Sequence, residues 1–254
     1  MTDFGTREMM IVAAAREIRD GEVVLVGMRL PIMAFAVARL THAPNAVGVF
    51  ESGLVREAPA SELLYTMADP ANALGAAWLT GTAQVLGLLH GGRVGVGFIG
   101  GAEIDRFGNI NTSYIGDVAS PKVKLPGSGG AVDIAAMAGR LLLIMAHEKK
   151  RLVPRVDFVT SPGNLDGGDA RARVGLPKGS GPAAVITDRA ILRPWGPEKE
   201  LHLASWHPGS DPDGVVAETG WSLESLPDAG PTLPPSKEEL AALRSLDKEG
   251  FWRG

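Results

Sequence analysis

The chain has 254 residues, 45% of them apolar, a formal net charge of −4 and no cysteine. That composition fits a globular protein long enough to bury a large core, as one big domain or two small ones. The missing cysteine excludes thiol nucleophiles, disulfides and thiolate metal sites, and the mild acidity gives no reason to expect nucleic acid.

The first segment, MTDFGTREMMIVAAAREIRDG, carries an apolar patch too short for a membrane span. It predicts an amphipathic helix with Arg16, Glu17 and Arg19 towards water, in a soluble, cytoplasmic protein without a membrane partner. EVVLVG (22–27) reads as a strand, and LPIMAFAVARL (30–40) as a helix opened by Pro31 in its first turn. NAVGVFES (45–52) is a second strand. ASELLYTM (60–67) starts a helix with Ser61 as its cap, and the small-residue run 73–89 fits either class.

RVGVGFIGGAEID (93–105) reads as a long strand interrupted by glycines, followed by a turn and a return strand over 106–113. PGSGGAVDIAAMAG (126–139) is a glycine loop entering a helix. Strands follow at 140–148 and 156–163, then a hairpin at 183–193 turning at Asp188-Arg189. Doubly buried strand runs alternating with helices predict an α/β fold with a largely parallel sheet flanked by helices. Past residue 223 the chain gains Pro, Asp and Glu. The predicted boundaries are therefore a main domain over 1–223 and a proline-rich arm with a C-terminal helix over 224–254. Residues 224–236 read as linker, and Leu240, Leu243 and Leu246 mark the packed face of the last helix.

GVGFIG (95–100) matches G-x-G-x-x-G, but its glycines lie inside a β-branched run with more strand after it, which argues against a dinucleotide loop. Glycine there marks a bulge or the close approach of a backbone or ligand, and Gly100-Gly101 are the candidates. PGSGGA (126–131) exposes backbone N–H groups suited to negative charge, or is simply a tight strand-to-helix turn. The five histidines show no metal-ligand spacing, so no metal is assigned. His147-Glu148 is expected in a surface turn, and Asp105, Asp117 and Asp133 as caps or turn residues.

VGVFESGLV (47–55) sets a carboxylate, Glu51, at the end of an apolar strand. Such a charge is costly unless compensated. A strand-end salt bridge would explain it. So would a role at the carboxyl end of a parallel strand, where ligands gather, with Ser52-Gly53 as a sharp exit that presents the side chain.

With FESGLV (50–55), FIGGAEIDRFGNINTSYIGD (98–117), SPKVKLPGSGGA (120–131), MAHEKKR (145–151), VDFVTSPG (156–163) and GLPKGSGPAAVITDRAIL (175–192) in view, the chain resembles the family I CoA-transferases. The likeness is nearest to the β subunit of the glutaconate type, and it weakens after about residue 222. The resemblance implies that Glu51 is the nucleophile. Its carboxylate would attack an acyl-CoA thioester to give a mixed anhydride, and the freed CoA thiolate would return to form a glutamyl-CoA thioester. An incoming acid would then reverse both steps.

Coenzyme A is thus expected as substrate, with no permanently bound cofactor. Gly129 and Gly130 are the candidate oxyanion donors, and Gly127, Ser128, Gly53, Gly100 and Gly101 the candidate CoA-binding residues. A homologous α subunit is the implied partner, in a heterodimer or higher (αβ)n assembly. Two other functions compete: a CoA-thioester hydrolase of steroid ring-cleavage intermediates, in which that Glu is replaced, and a non-catalytic ligand-sensing α/β domain.

Overall fold

In the computed structural model, which describes residues 3–253, the chain divides into two units. One comprises the residues up to Phe98 together with those from Pro234 on, and the other spans Ile99–Leu233.

The first unit holds α1 (Thr6–Arg16), β1 (Val23–Leu25), α2 (Leu30–Leu40), β2 (Val47–Phe50), β3 (Leu54–Arg56), α3 (Pro70–Ala73), β4 (Trp78–Leu79), α4 (Thr82–His90), β5 (Val96–Ile99) and the C-terminal helix Lys237–Leu246. Its strands run in the order β5-β1-β2-β3-β4. β1 pairs in parallel with both β2 and β5, while β2-β3 and β3-β4 are antiparallel. The C-terminal helix packs on α1 and α2. α1 is more enclosed than its amphipathic reading suggested. Residues 8–15 are buried without a break, and Arg16 turns to Glu239 through two 2.7 Å hydrogen bonds rather than to water. Arg244 makes the reciprocal pair with buried Glu8 at 2.9 Å.

No helix forms over 60–67. The Arg56 guanidinium, buried on β3, takes the carbonyls of Ala58, Pro59, Asn72 and Leu74 at 2.5–3.1 Å. Asp69 binds the amides of Tyr65 and Thr66. Backbone groups committed in this way are lost to a helical ladder. The undecided 73–89 run resolves into β4 and α4, hinged at Gly81.

The second unit contains β6 (Glu103–Asp105), β7 (Ile110–Asn111), β8 (Tyr114–Ile115), β9 (Val123–Lys124), α5 (Ala131–Met137), β10 (Arg140–Ile144), β11 (Leu152–Val153), α6 (Ala170–Arg173), β12 (Pro182–Ile186), β13 (Ala190–Trp195), β14 (Glu200–Trp206), α7 (Pro212–Ala217) and β15 (Ser225–Pro231). β10 and β12 are parallel, β12-β13-β14 antiparallel, and β14-β15 parallel. The α/β class and the 183–193 hairpin are as expected.

Four local readings are corrected. The strand expected over 93–105 breaks at Gly100-Gly101 into β5 and β6. Residues 156–163 form no strand, only a bridge between Ile110 and Ser161. The stretch read as linker contains β15. His147 is buried, not in a surface turn, with its ring bonded to Thr187, Val215 and Thr219. Among the described residues, no helix is long and apolar enough to cross a membrane.

Candidate active site

β2 and β3 are joined by only three residues, Glu51, Ser52 and Gly53, with Phe50 and Leu54 paired across the ladder. The Gly53 amide donates to the Phe50 carbonyl at 2.9 Å, closing a turn. Gly53 then adopts φ +95°, the left-handed step that returns a three-residue loop to its partner strand. A side chain there is excluded twice over, since a Cβ would overlap the Thr80 carbonyl oxygen. Glu51 is thus held half-buried on a tight turn at the carboxyl end of a strand that runs parallel to β1.

The strand beneath is anchored as well. The α2 residue Phe35 lies over Gly48, where a Cβ would come within 2.6 Å of the ring, and meets Phe50 edge-on at 6.3 Å between centroids. On the far side, the Ser52 hydroxyl donates to the Met67 carbonyl at 3.0 Å, and fully buried Asn72 donates to the same carbonyl at 2.7 Å. The turn after Glu51 is therefore tied to the irregular segment that Arg56 gathers. Burial pushes the Arg56 pKa down, and no carboxylate faces it among the described hydrogen bonds and ion pairs. Sequence reasoning missed this arginine. Its signal was a charged residue two positions after Leu54 on the same strand face.

The neighbouring strand β1 ends in Gly27-Met28-Arg29. A Cβ on Gly27 would lie 2.7 Å from the Phe98 carbonyl oxygen, which fixes the path of the chain. Met28 is 60% exposed. Arg29 leads into α2 with φ +70°, a conformation costing about 1–3 kcal/mol for a residue with a side chain.

The remaining sequence candidates lie in the second unit. Gly101 packs against the chain itself, since its Cβ would stand 2.5 Å from Ile110 Cγ2, and a Cβ on Gly100 would be 3.3 Å from the Ile144 carbonyl oxygen. In the glycine loop, Gly127 has φ +98° and its amide donates to the Thr112 carbonyl at 2.8 Å. Gly129 has φ +51° and is exposed. Gly130 caps α5 and is buried. Asp133 sits in the first turn of that helix, where its charge opposes another anion. Gly127–Gly130 share one loop, Gly100 and Gly101 share the β5-β6 break, and both groups border the β7 region through Ile110 and Thr112.

The motif between them is scaffold. Buried Asp105 accepts from the amides of Phe107 and Asn109, and burial raises its pKa. Asn109 in turn accepts from the amides of Gly163 and Leu165. Arg171, also missed, is a buried cation that donates to the carbonyls of Pro162, Gly163, Ala135 and Ala136 and to Ser180 Oγ at 2.7–3.2 Å. Two of those carbonyls close the C-terminal end of α5, so Arg171 braces the helix that the glycine loop enters. Among the described residues, no cluster of three or more His, Asp or Glu side chains could hold a metal ion.

Comparison with known proteins places the chain in a family. The sequence model of the family described as Coenzyme A transferase matches residues 7–218. The B subunit of 3-oxoadipate CoA-transferase from Pseudomonas knackmussii is 42% identical over 248 residues, covering 97% of this chain and 95% of its own. The B subunit of glutaconate CoA-transferase from Acidaminococcus fermentans is 37% identical, covering 88% of this chain and 85% of its own. The crystal structure of glutaconate coenzyme A-transferase from the same organism superposes with a TM-score of 0.92 at 33% identity, covering 100% of this chain and 98% of that one. A family match over most of the chain and near-complete coverage of B subunits establish that this chain belongs to the coenzyme A transferases, on the side of their B subunits.

Proposed function

We propose that the chain is the B subunit of a cytoplasmic CoA-transferase that moves CoA from an acyl-CoA to a free dicarboxylic acid through a covalent intermediate on Glu51. The observation carrying this reading is the placement of Glu51 on a tight turn at the carboxyl end of a parallel strand. The two B-subunit relatives named above act, by their names, on 3-oxoadipate and glutaconate, both dicarboxylic acids.

The Glu51 carboxylate adds to the thioester carbonyl, and the tetrahedral oxyanion expels CoA thiolate to leave an acyl–Glu51 anhydride. The thiolate then adds to the Glu51 carbonyl and expels the donor acid, giving glutamyl-CoA. The acceptor carboxylate reverses these steps. Charge and electrons balance with no redox change. Each oxyanion needs preorganised N–H donors, worth about 3 kcal/mol apiece. Gly129 and Gly130 are assigned that role. Gly127 shapes the entry to this loop, its amide bound to the Thr112 carbonyl. Gly53 contributes by shaping the turn, its amide being bound to Phe50. Ser128, Gly100 and Gly101 are assigned to the wall along the pantetheine arm. A homologous α subunit supplies the rest of the pocket.

Incubation with acyl-CoA alone, then borohydride or hydroxylamine, tests the reading. Glutamyl-CoA is trapped, activity is lost and the label maps to Glu51. A complex that turns over yet resists both reagents contradicts it. A hydrolase lacking the covalent thioester, or a sensing domain, gives no label.

A further inference from the structure

We propose that Arg29 recognises the second, unreacting carboxylate of a dicarboxylic substrate, an assignment that rests on the CoA-transferase reading. The register of β1 and β2 pairs Val23 with Val47, Val24 with Gly48 and Leu25 with Val49, and the Val26 amide donates to the Val49 carbonyl at 2.9 Å. Continued by two residues, this register sets Gly27 level with Glu51. The Gly27–Arg29 segment and the Glu51 turn therefore leave the same end of adjacent, hydrogen-bonded strands.

Several other arginines of this unit are spoken for: Arg16 by Glu239, Arg56 by four carbonyls, Arg244 by Glu8. Arg29 differs. It is exposed, and no hydrogen bond or ion pair to its guanidinium occurs among the described residues. Its backbone lies in the left-handed region, where glycine is the unstrained choice, so nothing local calls for an arginine. The chemistry does call for a cation. A dicarboxylic acid activated at one end still carries an anion at the other, and that anion must sit close to a site built around a second carboxylate. A guanidinium keeps its charge throughout the working pH range and matches a carboxylate with two parallel N–H bonds. Exposed Met28, next in the chain, offers apolar surface to the methylenes between the two carboxyl groups.

The phosphates of CoA are the other anions within the chemistry of such a site, and the test separates the two. The assembled two-subunit enzyme is assayed as wild type, Arg29→Gln, Arg29→Lys and Arg29→Gly, with glutarate and valerate as five-carbon acceptors from one acyl-CoA donor. Arg29→Gly removes the backbone strain, so its folding is not in doubt. Gln and Gly lower kcat/KM for glutarate about tenfold to a hundredfold, the range of a lost charge-assisted contact, and that for valerate by no more than about threefold. Lys retains part of the preference. Equal losses for both acids, losses that vanish with a pantetheine thioester donor, or no loss at all overturn the assignment. Calorimetric titration of glutarate and valerate into wild type and Arg29→Gln adds a readout free of turnover. If the complex transfers no CoA, the transferase reading fails, while the presence or absence of an Arg29-dependent preference for glutarate still decides this proposal.

Discussion

Gly53 and Thr80 approach so closely that the Thr80 amide reaches the Gly53 carbonyl at 2.8 Å, while a Cβ on Gly53 would overlap the Thr80 carbonyl oxygen. The turn carrying Glu51 is thus wedged against the chain leaving β4. Gly53→Ala must open that wedge and also hold alanine at φ +95°. The expected loss is about 2–4 kcal/mol of stability, from left-handed strain plus overpacking. Turnover should fall at least about tenfold, because a nucleophile displaced by a fraction of an ångström is misaligned. Denaturant midpoints and kcat for the assembled enzyme check both. An unchanged midpoint contradicts the wedge.

Glu51 is half-buried on its turn. Glu51→Ala and Glu51→Gln are expected to stay folded and assembled, with a stability change of about 1 kcal/mol, the centre of the range for single substitutions. Transfer should drop on the order of 10³-fold or more, the scale for removing a covalent nucleophile. Glu51→Asp withdraws the carboxylate by one methylene and leaves space for water, so the ratio of thioester hydrolysis to transfer should rise. Full transfer by Glu51→Ala sinks the covalent mechanism.

Gly130 has φ −78° and ψ 0°, values open to any residue, so Gly130→Val tests the loop without forcing left-handed strain. If its amide serves the oxyanion, kcat should fall about a hundredfold while the KM for acyl-CoA shifts little, since such donors act mainly in the transition state. A raised KM with unchanged kcat assigns the loop to ground-state binding instead.

What was legible in the sequence depended on how local its cause was. β1, β2, α2 and the hairpin at Asp188-Arg189 follow from short apolar runs, Pro31 and turn residues that act within a few positions. The Glu51 turn was legible for the same reason, because E-S-G carries its own geometry. The helix expected at 60–67 failed because Arg56 takes carbonyls up to 18 residues away. Residues 156–163 look like a strand, yet the amides of Thr160 and Ser161 both go to the single Ile110 carbonyl, so no ladder develops. β15 was hidden by Pro227 and Pro231, which an edge strand tolerates and a central one does not. His147 had no local signal at all: its ring partners lie 40 to 72 residues away.

That buried histidine sets a pH dependence. Burial holds its pKa below 6.5, although the Val215 carbonyl and Asp188 pull the other way. Nε2 faces the Val215 carbonyl and Thr219 Oγ1, and Nδ1 faces Thr187 Oγ1. The unfolded chain takes up a proton as pH falls through about 6.5, and the folded chain resists until lower pH. Stability is therefore full above the unfolded value and declines as pH drops below it. Glu8 contributes in a separate, more acidic window. Burial raises its pKa, but hydrogen bonds from Arg244 and Gly5 and the charges of Arg244 and Arg253 bring it below 4.5. Urea midpoints between pH 7 and 5 should fall more steeply for wild type than for His147→Gln. Parallel slopes remove His147 as the cause.

The last expectation concerns assembly. β4 is the edge of the first unit's sheet, paired to β3 through Leu54 with Leu79 and Val55 with Trp78. Leu74, Trp78 and Leu79 are all exposed there, beside the hairpin that carries Glu51. An open apolar edge beside Glu51 is a surface that needs a cover against self-association, and the covalent intermediate proposed for Glu51 would need the same cover against water. The purified chain alone should therefore be inactive in transfer and should self-associate in sedimentation. Addition of the α subunit should restore activity and give parallel lines in double-reciprocal plots, the signature of a two-step exchange through an enzyme-bound intermediate. Transfer at full rate by the chain alone, with mass spectrometry finding no partner, shows that one chain builds the whole site and the two-subunit reading is wrong.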